Sequence, residues 1–97
     1  MFCYKVHGLP GKKDRILAIC DRELIGKVIR KEPLFEVGKE FYGKEICDEE
    51  EILEKMKSCT IVNVVGKKII TLCVEKKLIT KENVILIGEI PHAQFIK

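Results

Sequence analysis

The feature that most restricts this chain is an apolar run, Ile16-Leu17-Ala18-Ile19-Cys20, that follows an alternating segment and a turn. From Phe2 to His7, Phe2, Tyr4 and Val6 fall on one side and Cys3, Lys5 and His7 on the other, the period of a half-buried strand. Gly8-Leu9-Pro10-Gly11-Lys12-Lys13-Asp14 is turn chemistry, so Arg15 to Cys20 is expected to return antiparallel as the second arm of a hairpin. Because the returning arm is apolar on both faces, it is the more interior of the two.

The remaining elements follow from local signals. Asp21 starts a short turn or single helical turn that Gly26 closes. Lys27 to Arg30 and Leu34 to Val37 read as short strands separated by Pro33, which cannot donate to a ladder and marks an edge or corner. Gly38 to Gly43 is expected to be a loop between glycines, and Lys44 to Cys47 another short strand. Asp48 with Glu51 forms a capping box, Glu49 and Glu50 fill the first turn, and Ile52, Leu53 and Met56 recur at helical spacing. Thr60 to Asn63 fits either a strand or the entry to a second helix, whose apolar face would hold Val65, Ile69, Leu72 and Cys73. Val84 to Ile87 reads as the last regular strand, apolar and buried. Beyond Gly88, the segment Ile90-Pro91-His92-Ala93-Gln94 is expected to be a stiff tail, docked by Ile90, Phe95 and Ile96 over the strand end that carries Cys20 and Asp21. Strands early and two helices late give an α+β two-layer sandwich. Its sheet is mostly antiparallel or mixed, its two helices lie on one face, and it forms one domain over residues 1–97.

Composition narrows the function classes. The net charge of +3 is too small, and its lysine clusters too closely neighboured by carboxylates, to demand a phosphate-bearing partner. Lysine, glutamate and isoleucine are abundant while Asn and Gln are scarce, as in hyperthermophile proteins, although an AT-rich genome gives the same bias. Five cysteines stand at spacings that fit no zinc site, so they are expected to be reduced thiols, Cys59 and Cys73 in the core. No basic leader and no membrane-length apolar run is present, which points to the cytoplasm. No cofactor and no metal is expected.

Three groups of residues could carry chemistry. Cys20, at a strand end beside Asp21, could be a nucleophile with His92 as its base; the alternative is that Cys20 simply completes the core. His92 and Gln94 project from a segment stiffened by Pro91 and could contact a ligand, with Asp21, Glu23 and Lys27 as polar partners; the alternative is a turn whose imidazole bonds a neighbouring loop. A carboxylate at Asp21 or Glu23 beside His92 would raise its pKa. Phe41 and Tyr42, flanked by Lys39 and Lys44, would form a stacking platform for RNA bases if exposed. If buried they plug the end of the sandwich, Phe41 foremost. Gly66-Lys67-Lys68 lacks the upstream glycine and the Ser or Thr of a phosphate loop, so Gly66 is expected to permit close packing early in the second helix.

Together, Cys20-Asp-x-Glu-Leu-Ile-Gly-Lys27, Glu40-Phe-Tyr-Gly43, Cys59-Thr-Ile-x-Asn-x-Val-Gly66 and Pro91-His-Ala-Gln94 resemble the archaeal domain-of-unknown-function family numbered four hundred and twenty-four. Cys59 stands where that family has a small residue such as Ala, and Gly88-Glu89 where it has a Gly-Gly pair. The resemblance implies an archaeal source and a two-layer α+β fold, and no established activity. Small archaeal single-domain proteins often serve information processing. The leading expectation is therefore a non-enzymatic module binding RNA or a protein of the translation apparatus. The alternatives are a small enzyme using Cys20, Asp21 and His92, and a structural or homo-oligomeric protein pairing through an exposed strand edge.

Overall fold

The alternating segment and the apolar run form the expected hairpin: β1 (Phe2–Gly8) and β2 (Arg15–Asp21) pair antiparallel from Phe2 opposite Asp21 to Gly8 opposite Arg15. The computed structural model describes residues 1–8 and 10–96; Leu9, part of the expected turn, lies outside them. On its far side β2 pairs in parallel with β6 (Ile61–Val65). Pairing on both flanks makes β2 interior to the sheet, and its two apolar faces are each covered, Leu17 and Ile19 in one apolar cluster and Ala18 and Cys20 in the other. Strand β6 then pairs antiparallel with β8 (Ile90–Ile96), and β8 with β7 (Ile85–Ile87). With β5 (Glu45–Cys47) bordering β1, the sheet is mixed and runs β5-β1-β2-β6-β8-β7.

Two helices cover one face, as expected. Helix α2 (Glu49–Lys57) starts where Asp48 Oδ1 accepts the Glu51 N–H at 2.9 Å, and α3 (Lys67–Glu75) follows β6 directly. Leu17, Ile19, Val62 and Val64 from the sheet pack there against Ile52, Met56, Ile69 and Cys73. Part of the opposite face is also covered. A two-stranded ribbon, β3 (Val28–Lys31) with β4 (Leu34–Glu36), and a short helix α1 (Lys39–Tyr42) bring Val37 and Tyr42 over Cys3, Ala18, Cys20 and Val65. All five cysteines are free thiols and buried, so Cys20, Cys59 and Cys73 have the core placement anticipated for them.

Three local expectations are corrected. The loop between Gly38 and Gly43 holds α1, because Tyr42 N–H donates to Gly38 O at 2.9 Å and Gly43 N–H to Lys39 O at 2.8 Å, winding one turn that drives Tyr42 inward. Val65 belongs to β6 and not to the second helix; its helical spacing with Ile69 and Leu72 is overridden by the run Ile61 to Val65, β-branched except at Asn63 and paired on both sides. The segment 84–87 is not a buried strand: β7 lies at the sheet edge, with Ile85 59 % and Leu86 66 % exposed. The interior place belongs to β8, the segment read as a docked tail. Pro91 is tolerated there because the Gly66 carbonyl at the end of β6 accepts Ile70 N–H at 3.1 Å and needs no donor from Pro91, whose own carbonyl accepts Gly66 N–H at 2.9 Å. Its missing N–H therefore falls where the ladder stops.

Candidate functional site

Strand alternation separates Cys20 from Asp21. Cys20 faces the ribbon side, fully buried, and burial, with Cys3 and Asp21 adding to it, pushes its thiol up to about 12. Asp21 faces the helix side. Its Oδ2 accepts Lys68 N–H and its Oδ1 accepts Ile69 N–H, each at 2.9 Å, so it caps the first turn of α3 from a distant strand. Burial raises its pKa while these two backbone donors oppose the rise. Glu23, on the short helical turn Arg22–Leu24, pairs with Lys68 Nζ at 3.2 Å. Lys27 is exposed, and its backbone N–H donates to Leu24 O at 2.9 Å at the base of the ribbon.

His92 does share the face of Cys20. The sheet register runs Cys3, Cys20, Val65, His92 along one row, and laterally paired residues project to the same side. Val65 intervenes, so the backbones of Cys20 and His92 stand two strand spacings apart, roughly 9–10 Å. Asp21 is on the other face. The three groups expected to meet in a Cys–Asp–His site are thus not assembled. The expected rise in the His92 pKa is corrected as well: burial lowers it from 6.5, with Phe35 edge-on at 6.2 Å between ring centroids. Gln94 is exposed one step along the same face, opposite Asn63, in a row with Ala18 and Lys5. Among the described residues, no group of three or more His, Cys, Asp or Glu side chains is placed to hold a metal ion.

The α1 corner reverses the expected roles of its aromatic pair. Tyr42 is the plug, 3 % exposed, its hydroxyl pushed up to about 12 by burial and then by Cys20. Phe41 is 39 % exposed and edge-on to Tyr42, with ring centroids 4.9 Å apart. Sequence reasoning missed what holds this corner. His7 stacks on Phe41, ring centroids 4.9 Å apart and planes 21° from parallel. His7 Nε2 donates to Phe41 O at 2.7 Å, and Lys5 Nζ donates to Glu40 O at 3.0 Å. Carbonyls at the end of α1, which have no helical partners, are thereby tied to β1. The alternation that put Lys5 and His7 on one side of β1 was the available signal; α1 as their partner was not visible in it. Beside this corner runs a groove of about 500 Å³ floored by Tyr4 and Val6 and rimmed by Lys5, Lys39 and Lys44.

Fold and site define a small α+β protein in which Cys20 is buried and Asp21 caps a helix, and whose exposed apolar side chains lie on the β3–β4 ribbon, on β5, on β7 and β8, and, with Phe41, at the α1 corner. The chain belongs to the family of proteins of unknown function DUF424, which matches residues 11–97. Among solved structures it is similar to an uncharacterized conserved protein from Methanopyrus kandleri. The TM-score is 0.80 at 20 % identity, over 97 % of this chain and 89 % of that one. A search of curated proteins returns no match. Among the described residues no helix is long and apolar enough to cross a membrane.

Proposed function

We propose that this protein is a non-enzymatic binding module that engages a partner protein at the corner where α1 meets β1. The observation that carries this reading is the Phe41–His7 stack beside the lysine-rimmed groove. An exposed aromatic is a side chain in which interfaces are enriched, and the lysines beside it would steer and orient a partner of opposite charge. The three residues of the alternative Cys–Asp–His site are otherwise engaged: burial pushes the Cys20 thiol pKa up, Asp21 caps α3, and His92 lies two strands from Cys20.

RNA is the second reading, and with it a role in translation or RNA metabolism, favoured by the same ring pair and lysines. It is weaker here because Tyr42 cannot stack, His7 already covers one face of Phe41, and Glu40 and Glu45 interleave the lysines of the groove. Self-association through the apolar edge strand β7 is a third, favoured by exposed Ile85 and Leu86.

A photo-reactive amino acid placed at Phe41, with one at Leu86 as control, tests the choice in cells of the source organism. A discrete protein adduct from position 41, lost in Lys44→Glu, is expected. A nuclease-sensitive adduct at 41 overturns the protein reading in favour of RNA, and adducts only at 86 move the site to β7.

A further inference from the structure

We propose that the outer edge of β1, from Lys5 to Gly8, takes an extended acidic segment of a partner protein as an added β-strand. The inference rests on the reading of this corner as a partner site and names how the partner is held. Strand β1 is paired with β2 along its whole length, but β5 pairs only with Phe2, Cys3 and Tyr4. Beyond Tyr4, β1 is therefore a sheet edge of four residues, roughly 13 Å long.

Which backbone groups face that edge follows from Gly43. A side chain there would collide with the Tyr4 carbonyl oxygen, which lies nearer to it than the Tyr4 carbonyl carbon does, so this carbonyl points away from β2. In an antiparallel ladder the N–H and C=O of one residue point the same way and alternate with those of the next. The Val6 N–H and C=O, and the Gly8 N–H, consequently point outward too. Among the described residues no backbone or side-chain group pairs with them there. Gly43 also explains why β5 stops short: with φ at 73°, it turns the chain out of α1 close against Tyr4, and pairing begins only at Glu45.

The side chains around the edge select the occupant. Val6 and Tyr4, the latter with Lys55 Nζ 5.4 Å from its ring centroid, offer a floor for alternate residues of an added strand, while Lys39, Lys44 and Lys5, whose Nζ also bonds Glu40 O, stand along the rim. Lys12 and Lys13, both exposed, lie on the turn that continues from Gly8. Against these cations stand the carboxylates of Glu40, Glu45 and Asp14. A segment alternating carboxylates with β-branched residues satisfies both surfaces, through main-chain bonds for affinity and alternate side chains for selection. On the opposite side of the sheet β7 pairs only with Ile90, Pro91 and His92, so Ala93 to Ile96 of β8 form an edge of the same length; neither β7 nor that stretch carries a charged side chain, so neither selects an acidic segment.

Amide-resolved NMR titration with a capped hexapeptide of alternating Glu and Val tests this. Expected are shifts confined to Lys5–Gly8, Lys39 and Lys44, slowed exchange of the Val6 and Gly8 amides, and binding that weakens steeply with salt. Val6→Pro removes an outward N–H, and the double variant Lys39→Glu with Lys44→Glu reverses the rim charge without touching the Lys5 bond that holds α1 to β1. Each should weaken binding by about tenfold or more, about 1.4 kcal/mol. Should Val6→Pro lose its fold by circular dichroism, the charge variant alone decides. Equal affinity for a control hexapeptide of alternating Lys and Val, tighter binding of a short oligouridylate, or no shifts at millimolar peptide each overturn strand addition. Failure of these titrations while the adduct from position 41 persists would sink the strand mode alone; loss of both would remove the site.

Discussion

The carboxylate of Asp21, at the end of β2, lies directly over the α-carbon of Gly66, where any side chain would occupy the space of its oxygens. From there it receives the N–H groups of Lys68 and Ile69. A strand thus supplies the N-terminal cap of a helix whose bonded N–H lies 47 residues further on, and the missing side chain at Gly66 makes the approach possible. Gly66 has φ at 125°, a backbone state that side chains disfavour. The glycine is selected twice, by conformation and by space.

Asp21→Ala is expected to cost about 1–2 kcal/mol, the usual loss of a helix cap, with faster amide exchange confined to the first turn of α3. Gly66→Ala should cost roughly 1–3 kcal/mol from backbone strain, with the clash against Asp21 added. The two changes should couple, since removing the carboxylate clears the space that the introduced methyl group needs. Urea denaturation of both single variants and the double variant measures this. Strict additivity would show that the carboxylate and the methyl do not compete for that space.

Tyr42 and Phe41 are neighbours in sequence with opposite consequences. Tyr42→Ala should cost roughly 3–5 kcal/mol, the range for deleting a buried aromatic. Tyr42→Phe should cost less than about 1 kcal/mol, because the hydroxyl has no hydrogen-bond partner among the described residues and its loss strands no buried group. Phe41→Ala should stay within about 1 kcal/mol, being a partly exposed site. Thermal melts of the three variants decide it, and a Phe41→Ala melt as depressed as that of Tyr42→Ala would reverse the assignment of plug and anchor.

The α+β class, the β1–β2 hairpin and the start of α2 were legible because each rests on short-range signals: alternation, turn residues and the Asp48 cap. What was not legible depends on pairing between distant segments. Nothing local distinguishes Val84 to Ile87 as an edge from Ile90 to Ile96 as an interior strand. Hydropathy favours the former as the buried strand, and β8 is interior only because it pairs with β6 on one side and β7 on the other. For the same reason Asp21 was placed in sequence beside Cys20 but not on its own face of the sheet, and its partnership with Gly66 was hidden. The Lys- and Glu-rich composition is of the kind that forms ion-pair networks in hyperthermophile proteins. Among the described residues the ion pairs are Lys57–Glu54 and Lys68–Glu23, both solvent-exposed and so of small energetic effect.

The thiols should be slow to react. Burial pushes Cys20 and Cys73 up to about 12 and Cys47 up to about 11, and all five cysteines are buried. With an aromatic disulfide reagent at mildly alkaline pH, native protein should release little colour over minutes. Denatured protein should release five equivalents at once, the native rate being set by transient opening of the core. A fast-reacting thiol in the native protein, identified by mass mapping at Cys20, would reinstate the nucleophile reading.

His92 should titrate below 6.5. Its half-buried ring sits in a row with Val65 and Ile85 and edge-on to Phe35. The carboxylates expected beside it from the sequence are engaged elsewhere, Asp21 on the other face and Glu23 with Lys68. Burial penalises the imidazolium and lowers the native pKa. Between that lowered value and the unfolded one the unfolded chain binds more protons, so stability rises with pH across this window. Equivalently, the contribution is present above 6.5 and is lost as pH falls through the native pKa. A ring-proton NMR titration in a His7→Gln background isolates His92. Phe35→Ala should admit water and move the midpoint back towards 6.5, Asp21→Asn should leave it unmoved, and His92→Gln should flatten the corresponding slope of stability against pH. A wild-type midpoint above 6.5 that drops in Asp21→Asn would place the carboxylate beside the ring and undo this account of the sheet's two faces.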